Sequence, residues 1–242
     1  MGGQACVFYG AAEFSRDTDI AVLAEAANLD RLRHALVELD AEAIAVPPFE
    51  AAYLLRGHAV HFRCRHPEAL GMRLDIMSRM RGVDDFDALW ERRATVVLGA
   101  DRGEAAAHPD DRSRAREQVI VDILGIEDLV RAKKTQRDKD WPMLRRLVEA
   151  HYFANRADPS DARARFWLRE LRSPELLVET VARFPALSRE LLAFRPLLGF
   201  ARPDAAERLA EALRAEEDAE RALDRAYWAP LRAELEALRH AR

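Results

Sequence analysis

At 242 residues the chain has room for one large domain or two small ones. Hydrophobic residues make up 49% and charged residues 33%, which excludes an intrinsically disordered chain. A formal charge of −4 speaks against a globally basic nucleic-acid binder and leaves local basic patches open. The two cysteines, Cys6 and Cys64, belong to no spaced metal motif, no apolar run is long enough to cross a bilayer, and no basic-then-apolar leader opens the chain. The expectation is a cytoplasmic protein without a membrane partner, both thiols reduced and buried.

In chain order, Gly2-Gly3 followed by Ala5-Cys6-Val7-Phe8-Tyr9 and Gly10 predicts a short helix entered through glycines. Its first N–H groups, with no side chains in the way, suit a phosphate. Ser15-Arg16-Asp17-Thr18-Asp19 then runs into the apolar Ile20-Ala21-Val22-Leu23. As a strand, this stretch places Asp17 and Asp19 on one face, because side chains alternate with a period of two. Two like charges held there repel unless a cation lies between them. Mg²⁺ is suited to the position, since it takes oxygen ligands from one or two carboxylates and from substrate phosphates.

Asn28 is the expected N-cap of a helix carrying Leu29, Leu32, Leu36 and Leu39, and Ala43-Ile44-Ala45-Val46 reads as a strand stopped by Pro47-Pro48. Residues 49–57 read as a turn with some helix. Residues 59–64 and 72–77 form a predicted hairpin whose second strand turns Met72, Leu74 and Ile76 one way and Arg73, Asp75 and Met77 the other. A carboxylate in mid-strand needs a partner. For Asp75 that is either a neighbouring arginine or a metal ion.

Residues 84–93 predict a helix with Phe86, Leu89 and Trp90 inward, and residues 95–98 and 118–124 two further strands around an exposed, charged insertion over 99–116. Gly125 opens a helix on which Lys133 and Arg137, four residues apart, are expected to share a face, with Asp140 ahead of Trp141-Pro142 as a possible N-cap. Helices then follow over 141–153, 162–171, 174–184, 188–194 and 203–238, with prolines at several borders. The last is leucine-rich and could pack on the domain or against another helix. Of the seven histidines, His58 and His61 are expected on opposite sides of a strand, and His66, His108, His151 and His240 at the surface. No nucleophile elbow, Walker loop or dinucleotide fingerprint is present.

Gly-Gly-x-Ala, an apolar run, Tyr-Gly and then Ser-x-Asp-x-Asp-Ile resembles the nucleotidyltransferase superfamily, with its DNA polymerase β-like fold. It looks closest to AbiEii-type and related minimal nucleotidyltransferases of toxin–antitoxin systems. The helix with Leu129, Lys133, Arg137, Lys139 and Asp140 is similar to the Leu-x-x-x-Lys helix ending in Arg-x-Lys-Asp of those proteins. Its lysine-to-arginine spacing is one residue short, which leaves Lys133 and Lys134 both as candidates.

The resemblance implies an α+β fold: a nucleotidyltransferase-like mixed sheet with flanking helices over 1–125 and a helical domain over 126–242. It further implies Mg²⁺ on Asp17, Asp19 and Asp75, and a nucleoside triphosphate held by Gly2, Gly3, Ser15, Lys133, Lys134, Arg137 and Asp140. A nucleoside monophosphate would pass to an acceptor hydroxyl on tRNA, a protein or a small molecule such as an antibiotic. A cognate toxin or antitoxin would be a partner. In that family an apolar strand precedes the glycine pair. Here the glycines follow Met1, so the resemblance predicts either a start placed too far downstream or a sheet one strand short. A fold retained for binding or regulation without catalysis is the alternative from another class.

Overall fold

The structure is a computed structural model that describes residues 1–98 and 118–241. It is α+β. A four-stranded mixed sheet has the order β1 (Asp17–Ala21), β4 (Arg73–Met77), β3 (Val60–Cys64), β2 (Ala41–Ala43), with β1 parallel to β4 and the other pairs antiparallel. Between these strands come α2 (Ala26–Glu38) and α3 (Ala51–Arg56), and α1 (Gly2–Phe8) precedes β1. A second sheet pairs β5 (Ala94–Leu98) antiparallel with β6 (Val119–Ile123), after α4 (Phe86–Glu91). The helices α5 (Ile126–Ala132), α6 (Asp140–Asn155), α7 (Asp161–Glu170), α8 (Pro174–Arg183), α9 (Pro185–Leu191) and α10 (Ala206–His240) complete the chain. None of the helices among the described residues is long and apolar enough to cross a membrane. The insertion expected over 99–116 and His108 lie outside the described residues.

Alternation on the larger sheet separates its two faces. Val60, Phe62, Leu74 and Ile76 pack with Ile20 against Leu29 and Leu36 of α2 and Leu54 of α3, forming one apolar cluster. The opposite face carries Asp17 and Asp19 from β1, Arg73 and Asp75 from β4, and His61 from β3. Register places Asp19 beside Asp75, Asp17 beside Arg73 and His61 beside Asp75. One face is therefore core, and the other is polar and turned toward the functional site.

A larger apolar cluster runs through the helices and crosses residue 125. Ala5 and Cys6 of α1, Leu89 of α4 and Ile123 of β6 pack with Leu129, Leu144, Leu147, Trp167, Leu177 and Leu209. Both cysteines are buried, as composition suggests. Pro174 and Pro185 stand in the first turns of α8 and α9, where a missing N–H costs no helical bond. The buried Arg195 donates to the carbonyls of Leu168 and Leu171 and to Glu216, tying α10 to the end of α7. Near the other end of α10, Glu234 pairs with Arg56 and His58. The leucine-rich helix thus spans from the helical layer to the sheet.

Several local expectations are corrected. The helix expected to be capped by Asn28 begins at Ala26 after Glu25, and Asn28 instead donates to the Leu23 carbonyl. The strand expected at 43–46 lies at Ala41–Ala43, because the chain reverses at Asp40 (φ 44°) and reaches β3 two residues early. Trp90, expected inward, is 47% exposed. A six-residue helix has one inward position here, Leu89, and Trp90 is covered from outside by the Arg93 guanidinium 4.1 Å above its ring.

His151, expected at the surface, is half-buried and accepts the Trp167 indole N–H at Nδ1, 2.9 Å away. Burial holds it below the usual imidazole value of 6.5, and the charge of Arg163 adds to this. A histidine whose folded-state value is depressed binds fewer protons folded than unfolded below that usual value. Stability should therefore fall as pH drops below about 6.5. Urea unfolding at pH 7.5 and at pH 5.5 measures this, and His151→Gln should flatten the dependence.

Candidate functional site

A cavity of about 400 Å³ opens between the polar sheet face, the start of α1, the turn from α5 to α6 and α10. Asp19, His61 and Asp75 line it from the sheet, and Gly2 from α1. Lys133 to Arg137 line it from the turn, and Trp228 and Arg232 from α10. The chain brings these groups together because the parallel β1–β4 pair aligns Asp19 with Asp75, while α1 and α5 share the apolar cluster through Cys6 and Leu129.

Glycine is required where α1 begins. Gly2 has φ +63°, and a Cβ there would collide with Asp19 Oδ2; a Cβ on Gly3 would collide with Ser15 Oγ. The Gly3 N–H, expected to be open to phosphate, points at Asp19 Oδ2 (3.3 Å). Gly2 lines the cavity, while Gly3 positions Asp19. Ser15 donates to the Asp17 carbonyl, 2.9 Å away, and so braces β1 from the side.

The two cavity carboxylates are shifted in opposite directions. Burial raises the Asp19 carboxyl above the ordinary value; the Gly3 N–H and the charge of Lys133 offset this in part, and the neighbouring Asp75 adds to it. Burial also works against ionised Asp75, but His61 and Arg73 outweigh it and hold that carboxyl below the ordinary value. The contacts are 2.8 Å from Asp75 Oδ1 to His61 Nδ1 and 3.0 Å to Arg73 Nε. The arginine partner considered for Asp75 is therefore present. Asp17 stands beside Arg73 and lies outside the cavity lining.

Among the described residues, no group of three or more His, Cys, Asp and Glu side chains is placed to hold a metal ion. Mg²⁺ commonly takes one or two carboxylates and fills its remaining positions with water and phosphate oxygens; Asp19 and Asp75 are the carboxylates that would hold it, Asp75 in exchange for Arg73, whose Nε and Nη2 bond to both its oxygens.

The helix expected to carry Lys133 and Arg137 on one face ends at Ala132. Lys133 caps it, and the following residues form a turn rather than a further helical turn. The two cations converge all the same, because both reach Asp140 in the first turn of α6: Lys133 Nζ at 3.4 Å and Arg137 Nε at 2.7 Å, with Thr135 Oγ1 donating at 2.6 Å. Asp140 is therefore an anchor inside its helix, not the N-cap, which is Lys139. Lys134 pairs with Glu170 at 2.8 Å. Of the two lysines, Lys133 is the one whose charge acts on Asp19.

Further groups lay outside the sequence reading. Arg81 donates to the Lys134 carbonyl and pairs with Glu220 and Asp224, while Asp224 accepts the Gln136 N–H at 2.8 Å. Arg221 holds the Gln136 carbonyl and Asp138. The turn bearing the cations is thus strapped to α10 at several points. The spacing of Asp224, Trp228 and Arg232, one helical turn apart, was a readable signal for that face. Nothing in the local sequence around Arg81 announced its role. Compared with known proteins, the chain matches no family model, no curated protein and no solved structure.

Proposed function

We propose that the protein is a Mg²⁺-dependent nucleotidyltransferase, moving a nucleoside monophosphate from a nucleoside triphosphate to an acceptor hydroxyl. The observation that carries this reading is the Asp19–Asp75 pair facing Lys133 and Arg137 across one cavity with Gly2 at its edge. Paired carboxylates opposite paired cations match the needs of phosphoryl chemistry, which is mostly positioning and charge stabilisation. The reading includes a nucleotidyltransferase-like sheet unit over 1–125 and a helical unit over 126–242.

Mg²⁺, when bound at Asp19 and Asp75, would neutralise phosphate oxygens and acidify a nearby hydroxyl. Gly2 leaves room for the triphosphate to approach the sheet. Gly3 and Ser15 hold β1 in place beneath it. Lys133 and Arg137, held by Asp140, stabilise the charge that builds on departing pyrophosphate. The acceptor oxygen bonds to the α-phosphorus, the bond to the pyrophosphate oxygen breaks, and the hydroxyl proton passes to water in the cavity beside Asp75. Lys134, held by Glu170, supports the turn.

The test is incubation with Mg²⁺ and nucleoside triphosphates labelled at the α-phosphate, offering RNA, a protein extract or aminoglycosides as acceptors. Pyrophosphate release with label on one acceptor class, both abolished by EDTA, is the expected result. It also separates a tRNA- or protein-modifying toxin from an antibiotic-modifying enzyme. Nucleotide binding that ignores Mg²⁺ and releases no pyrophosphate would overturn the enzymatic reading in favour of a binding protein.

A further inference from the structure

Along the cavity, α10 presents one face. Asp224, Trp228, Arg232 and Leu235 recur at intervals of three and four, so they share a side of the helix over about 16 Å. The helix is pinned at two places. Asp224 accepts the Gln136 N–H of the cation-bearing turn, and Glu234 pairs with Arg56 and His58 at the entry to β3. Between them Tyr227 packs over Gly57 and meets Trp228 edge-on, with ring centroids 5.6 Å apart. Tyr227 and the buried Leu231 carry the packing of this stretch, while Trp228 stays half-buried against the cavity.

An indole offers a phosphate no charge and only a single N–H donor. It offers a nucleobase a flat apolar surface, and base-on-aromatic stacking is tolerant of which base it receives. We infer that Trp228 is the stacking platform for the nucleobase and that it favours a purine nucleoside triphosphate, whose larger ring system covers more of the indole. This rests on the nucleotide reading above and adds the group that holds the base. Asp19, Asp75 and Lys133 would take the phosphates, and the long C-terminal helix would take the base.

The experiment compares the full chain with Trp228→Ala and Trp228→Phe, measuring binding of ATP, CTP and inorganic tripolyphosphate in Mg²⁺ by calorimetry. Trp228→Ala should weaken ATP about five- to 150-fold while leaving tripolyphosphate unchanged, and Trp228→Phe should recover most of the loss. ATP should also quench intrinsic fluorescence in the wild type and fail to do so in Trp228→Phe. Trp141 and Trp167 are buried, and the exposed Trp90 is not among the cavity's lining residues. Unchanged ATP affinity in Trp228→Ala, or an equal loss for ATP and tripolyphosphate, would overturn the inference and leave the nucleotidyltransferase reading standing. CTP bound as tightly as ATP would remove the purine preference. A wild-type chain that binds neither ATP nor tripolyphosphate would overturn both readings together.

Discussion

Asp140→Ala should destabilise the folded chain by about 3–5 kcal/mol, because it strands a buried ammonium. Lys133 is 9% exposed and Asp140 2% exposed, so water entering through the cavity replaces the lost pairing only in part. Thr135 and Arg137 lose the same acceptor. Burial by itself would raise the Asp140 carboxyl, yet Lys133, Thr135 and Arg137 hold it below the ordinary 3.8. A carboxylate depressed in the folded state stabilises the fold above its unfolded value, and that contribution disappears as pH falls through the folded value. The wild-type advantage over Asp140→Ala should therefore be full at pH 7 and shrink only below about pH 3.8. Urea denaturation of both proteins across this range measures it. A difference under about 1 kcal/mol at pH 7, the scale of an exposed ion pair, would show that the turn is not held by this carboxylate. The same variant should bind nucleoside triphosphate more weakly, since Lys133 and Arg137 lose their common anchor.

The second large effect separates activity from stability. Asp19→Asn is expected to reduce nucleotide transfer by about a hundred- to a thousandfold, the scale seen when one preorganised electrostatic group is removed from an active site. Its thermal midpoint should stay level or rise. Burial raises the Asp19 carboxyl, so its ionised form at neutral pH opposes folding, and an amide keeps an oxygen for the Gly3 N–H without that charge. Lys133 retains Asp140 in this variant, so no buried cation is stranded. Transfer measured at saturating Mg²⁺ beside a thermal melt is the check. Full turnover in Asp19→Asn would remove the carboxylate pair from the mechanism.

The larger fold was legible where periodicity was strong. Alternation in Leu74, Asp75 and Ile76 identified β4 and its two faces, and the leucines of α2 announced the layer beneath the sheet. Boundaries were less legible wherever a non-local partner decided them. β2 begins where the turn at Asp40 lets Ala41 meet Cys64, and α5 ends at Ala132 because the next residues are held by α6, α7 and α10 instead of by their own helix. Trp90 and His151 show the same limit in opposite directions. An aromatic residue on an apolar-looking helix was left outside, and a histidine without a sequence motif was drawn in by the indole of Trp167.

The chain's local chemistry determined that Asp17 and Asp19 share a strand face, that a glycine pair lies just ahead of them, and that cations follow Leu129 before Asp140. These relations depend on residue type and spacing along one backbone, so they can be read without coordinates. Tertiary structure alone decided that Asp19 faces Asp75 while Asp17 faces Arg73, that Lys133 shares Asp140 with Arg137 while Lys134 pairs with Glu170, and that Trp228 reaches the cavity of Asp19 from more than 200 residues away. Strand register and helix docking are settled by burial and pairing between distant segments. Their free energy exists only once those segments have met.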